Sequence, residues 1–174
     1  MKKLFLLFVL TIAVAISTDV SAQSLVGKWD TTAGSQQEEM IKSLGGEIEE
    51  SDTYWIFSND QGYNTYSYIK ACADVMGVQM MLEMEYVESG TWSLSGDQLT
   101  VVAGNFDVGN FNITFSDPSL NSVGEEVKSS MIEAFKSSIG QEVIFNIEFI
   151  DNNNAKLEYH DDVMSLSYTL QRVM

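Results

Sequence analysis

The chain has 174 residues, 25 acidic against 9 basic side chains, a net charge of −16, one cysteine and one histidine. Such a surface repels phosphate backbones and anionic lipid headgroups, so nucleic acid and anionic membrane surfaces are poor partners. Cys72 stands alone, so no disulfide can form within the chain and stability must come from packing.

The N-terminus reads as a secretory leader. Met1-Lys2-Lys3 is a short positive region, Leu4 to Ile16 is apolar apart from Thr11, and Val20-Ser21-Ala22 offers small residues before Gln23. The apolar run is about 13 residues, against the roughly 20 that a spanning helix needs, so no stable membrane anchor is expected. No cysteine follows the run to carry a lipid. The expectation is a signal peptide over 1–22, a single domain over 23–174, and a bacterial protein of the periplasm or secreted beyond it.

In chain order, Gln36 to Leu44 has helix-forming residues and ends at Gly45-Gly46. Tyr54 to Phe57 and Tyr63 to Ile69 flank the turn-forming Asn59-Asp60-Gln61-Gly62 and predict a hairpin. Cys72, between Ala71 and Ala73, reads as a small buried hydrophobe. Met76, Val78, Met80, Leu82, Met84 and Tyr86 recur at period two, with Gln79, Met81, Glu83, Glu85 and Val87 on the opposite face, which predicts a strand with one buried side. Thr91 to Ser95 and Gln98 to Val102 enclose Gly96-Asp97 as a second hairpin. Phe111, Ile113 and Phe115 alternate in the next strand.

The pattern then changes. Leu120, Val123, Val127, Met131, Phe135 and Ile139 fall three or four apart and predict an amphipathic helix that Gly140 would end and that must cover something apolar. Val143, Phe145, Ile147 and Phe149 return to period two. A turn at Asp151 to Asn154 leads to Leu157 and Tyr159, and Met164, Leu166, Tyr168 and Leu170 complete the alternation. Counted segment by segment, this is about ten strands and two helices joined mostly by short turns.

Leu25-Val26-Gly27-Lys28-Trp29, directly after the leader, resembles the G-x-W motif that opens the first strand of lipocalins and lipocalin-like bacterial envelope proteins. In that family the tryptophan closes the barrel base and a basic residue near the last strand lies over its ring. Here the only arginine, Arg172, ends the last strand. The resemblance implies a mainly β fold, an up-and-down antiparallel lipocalin-like β-barrel of about 8–10 strands with one inserted amphipathic helix, in which Gly27, Trp29 and Arg172 form the structural base. The chain departs from typical lipocalins in lacking their disulfides and in placing its helix between strands.

No catalytic constellation is visible, and an enzyme is not expected. His160 follows Leu157 and Tyr159 on the polar side of its strand, no G-x-S-x-G occurs, and no helper aligns with a nucleophile. One histidine and one cysteine cannot build a three-histidine or cysteine–histidine zinc site, and no metal or cofactor is expected. The positive feature is the methionine and aromatic content, with Met76, Met80, Met81 and Met84 in nine residues. Met80, Leu82, Met84, Phe145 and Phe149 are the inward-facing candidates for holding a small hydrophobic or amphipathic molecule in the barrel. The alternative is an envelope module that binds a protein or glycan on its outer surface, with Tyr63, Tyr66 and Tyr68 as exposed anchors.

Overall fold

A computed structural model describes residues 25–32, 42, 45–75, 77–160 and 165–173. The leader expected over 1–22 lies outside the described residues, as does nearly all of the helix expected over Gln36 to Leu44. Eight antiparallel strands close into one barrel in chain order: β1 (Gly27–Thr32), β2 (Gly46–Phe57), β3 (Gly62–Val75), β4 (Val78–Ser95), β5 (Gln98–Phe115), β6 (Glu142–Phe149), β7 (Asn154–His160) and β8 (Ser165–Arg172). Between β5 and β6 a short 3-10 turn (Pro118–Leu120) leads into α1 (Asn121–Ser137).

The count is eight strands rather than ten because two expected breaks are continuous. The segments before and after Gly90 are one strand, β4, and those before and after Gly104 and Gly109 are one strand, β5. Gly90, Gly104 and Gly109 sit at two register shifts between these strands, where Glu85 and Tyr86 face Asn110 and Val108, and Ser89 and Gly90 face Asn105 and Ala103. Each shift leaves one extra residue on β5, so the inward phase is kept: Leu99, Val101 and Ala103, then Phe106 and Val108, then Phe111, Ile113 and Phe115. The strands come very close at the lower shift. A Cβ on Gly90 would lie 2.0 Å from the Val102 carbonyl oxygen, which only glycine avoids.

β1 joins β8, with Trp29 opposite Arg172, and this pairing closes the barrel. Trp29 is fully buried, and its indole N–H donates to the Leu25 carbonyl at 2.6 Å. The Arg172 guanidinium carbon lies 4.4 Å from the centre of the Trp29 ring, and Nη1 donates to the Val26 carbonyl at 3.0 Å. Gly27 adopts φ +135°, a backbone conformation that residues with a side chain rarely take, and a Cβ there would stand 3.4 Å from the same Nη1, in ordinary contact, so the glycine of the motif is required by its backbone. Around this base Leu25, Trp55, Phe57, Trp92, Leu99, Leu157 and Leu170 form the lower core.

β6 to β8 are short, whereas β3, β4 and β5 run on for 14, 18 and 18 residues. The extension exposes an apolar inner face that α1 covers. Met131, Ile132 and Phe135 pack against the upper core of Ile69, Ala71, Met84 and Phe111. Phe135 stacks on Phe106 at 4.5 Å and on Tyr86 at 5.6 Å between ring centres. The stripe of α1 is only partly used, since Val123, Val127 and Ile139 remain exposed. Two further expectations are corrected. Cys72 pairs with Glu47 and Met81 on the outer face and is half-buried, because β3 turns Ala71 and Ala73 inward. Tyr63 points into the barrel and is 1% exposed, leaving only Tyr66 and Tyr68 on the outside.

The closure can be measured by a double-mutant cycle with urea melting. Trp29→Ala is expected to cost about 3–5 kcal/mol, as for a buried large aromatic. Arg172→Ala is expected to cost roughly 0.5–2 kcal/mol, and the double variant less than their sum, because each change removes the same contact. Strict additivity would show that the pair does not act as a unit.

Candidate functional site

The two apolar cores are separated by a polar belt on the inner face of β1 to β4. On β3, Thr65 and Ser67 lie between Tyr63 of the lower core and Ile69 of the upper. Register places Trp55, Thr65 and Glu88 side by side across β2, β3 and β4, and the next inward row holds Thr53, Ser67 and Tyr86. Thr31 continues that row onto β1, where its hydroxyl donates to the Thr53 carbonyl at 3.0 Å. Alternation dictates the arrangement: once Met84 faces inward, so do Tyr86, Glu88 and Trp92.

The belt is only partly satisfied from within the protein. The Thr53 and Ser67 hydroxyls bond each other at 3.0 Å. The Tyr63 phenol donates to Glu88 Oε1 at 2.5 Å. That bond and burial hold the Tyr63 phenol far above its usual range, burial being the larger cause. Thr65 is 6% exposed, and its hydroxyl has no partner among the described residues. Such a group normally costs stability unless a water or ligand completes it.

β8 adds Tyr168 to the same region. Its phenol is pushed up to about 12, first by burial and then by the proximity of Tyr86 and Glu88. Phe145 of β6 packs edge-on to Tyr168 and to Trp55, with ring centres 6.1 and 6.2 Å apart. The belt is therefore walled by aromatic rings. Glu88, Tyr86, Phe106 and Tyr168 face inward yet stay only half-buried, in contrast to the fully buried base.

All five expected ligand residues face inward, but they do not line one wall. Met84 borders the belt from above and Phe145 from below. Leu82 and Met80 continue upward, opposite Ile113 and Phe115 and towards the end of the extension, whereas Phe149 lies near the β6–β7 turn and packs on the lower core. Thr65, Glu88 and Tyr168 were not among the expected site residues. The signal for Glu88 is the phase of β4, which carries a carboxylate onto an apolar face two residues beyond Tyr86.

The arrangement offers hydrogen-bond acceptors and donors, one carboxylate and a ring-lined wall, and no nucleophile held by a base. His160 is exposed at the end of β7. On the outer face a shallow depression of about 190 Å³ lies over Lys70, Met81, Leu82, Glu83, Asn112 and Thr114. It shares no side chain with the belt.

The buried phenols make stability depend on pH. A phenol whose folded value lies above its unfolded value of 10.0 stabilises the fold fully below about pH 10, and that contribution is lost as pH rises through the folded value. Urea melts should show the wild type losing stability between about pH 10 and pH 12, with Tyr168→Phe losing less. An equal fall in both would show that Tyr168 is not one of the titrating groups.

A lipocalin-like domain family matches residues 25–122, which include the G-x-W segment, β1 to β5, and the belt residues of β1 to β4. No curated protein matches the chain. The match covers more than half of the sequence and agrees with the closed eight-stranded barrel, and the chain belongs to the lipocalin-like domain family.

Proposed function

We propose that this protein is a binding protein that holds a small amphipathic molecule inside its barrel, and that it works in the periplasm or outside the cell after loss of a leader over residues 1–22. The observation that carries the reading is the sequence of layers on the inner face: an apolar base, a belt of hydroxyls with one carboxylate, then a second apolar layer under α1. A protein interior normally has no use for a buried hydroxyl without a partner. A ligand with a polar head and an apolar body would complete both parts, its head at Thr65 and Glu88 and its body against Met84, Leu82 and Phe145. The polarizable methionines suit a body of irregular shape. The family supports binding over catalysis, since barrels of this kind typically enclose ligands.

The test is extraction. Protein purified from the periplasmic fraction or the medium is treated with organic solvent and the extract examined by mass spectrometry. The expected result is an amphipathic molecule in near-stoichiometric amount, on a chain whose first residue is Gln23. An empty extract, together with no saturable uptake of long-chain alcohols by the stripped protein, would overturn the reading.

A further inference from the structure

We infer that the head group held at the belt is cationic, a primary ammonium on an apolar body. The inference rests on the binding reading above and adds the charge of the ligand to it.

Glu88 supplies the first argument. It is an acid on the inner face, half-buried, with Thr65 beside it on β3 and Tyr63 donating to one oxygen. A carboxylate has about four acceptor positions, and Tyr63 fills one. The described ion pairs take Lys28 to Asp30, Lys70 to Glu49 and Lys156 to Glu158, all outside the barrel, and among the described residues none reaches Glu88. An interior carboxylate without a countercharge favours a ligand that brings one.

Thr65 supplies the second, independent argument. Its hydroxyl is buried, inward-facing and without a partner among the described residues. An ammonium has three donors in a compact group, so it can serve Glu88 and the Thr65 oxygen together. An alcohol has a single donor, and a carboxylate head has none and would meet Glu88 as a like charge. The net charge of −16 draws cations to the protein and repels anions.

Three probes that share one tail separate the two levels of the argument: dodecylammonium, dodecanol and dodecanoate. Each is titrated into the stripped full-length protein below its micelle-forming concentration at physiological salt, with tryptophan fluorescence as the readout. Dodecanol should bind saturably, dodecylammonium about tenfold tighter, and dodecanoate weakest. Glu88→Gln should bring dodecylammonium to within about twofold of dodecanol while dodecanol affinity stays unchanged, which also separates the belt from general surface attraction. If that variant fails to fold, Thr65→Val decides. It keeps the branched shape and removes only the hydroxyl, so the thermal midpoint should hold or rise while dodecylammonium affinity falls by about threefold or more. Equal affinity of dodecanol and dodecylammonium in the wild type overturns the ammonium assignment and leaves the binding reading intact. So does a folded Glu88→Gln that keeps the preference, or a Thr65→Val that binds dodecylammonium unchanged. Absence of saturable binding by all three probes overturns the binding reading itself.

Discussion

The ladder between β1 and β8 is the constraint on which the rest of the molecule depends. Without it both strands would present rows of unmet backbone donors and acceptors, and the sheet would have no interior. Trp29 and Arg172 sit opposite each other in that ladder, so the contact that fills the base also fixes the register of closure. A one-residue slip would turn every side chain of β8 to the other face and expose Leu170, which is fully buried. Gly27 belongs to the same device because its positive φ, which glycine takes without strain, sets the course of the chain between Val26 and Trp29.

Closure alone would produce a packed barrel like many small ones. What makes this interior different is unequal strand length. β3, β4 and β5 outrun β6 to β8, and the overhanging inner face is roofed by α1 rather than by further strands. The lower core packs on the indoles at the base and the upper core packs on the helix, and neither reaches the hydroxyls of Thr65 and Ser67 between them. The polar belt thus sits where the two packing solutions meet. The bulges of β5 let one strand serve both cores without losing its inward phase.

Much of this was legible in the sequence. Period-two alternation found every strand from β2 to β8 in part, and the motif at Gly27 and Trp29, with Arg172 at the far end, gave the closure. The expected 8–10 strands include the observed eight; the segment-by-segment tally of ten arose because the apolar alternation lapses around Gly90 and between Val102 and Phe111, where close approach and bulging place glycines inside continuous strands. Cys72 and Tyr63 were assigned to the wrong faces because a strand's phase is set by its partners. Ala71 and Ala73 look too small to define a core, and only pairing with Leu82 and Met80 shows that theirs is the inner face. The belt was missed for the opposite reason: the reading of β4 stopped at Val87, one residue before the carboxylate that breaks the apolar pattern. The unpartnered state of the Thr65 hydroxyl depends on three-dimensional neighbours and leaves no trace in the sequence.

The central claim is that a ligand lies inside the barrel, at the level of the belt. The methionines provide an internal control, since Met84 is buried beside the belt whereas Met81, three residues earlier on the same strand, is 45% exposed on the outer face. Methyl NMR of protein labelled with carbon-13 at methionine methyls, titrated with dodecanol, reads both at once. The account predicts a saturable shift at Met84 with Met81 unchanged. A shift at Met81 while Met84 stays fixed would contradict it and move the site to the outer face.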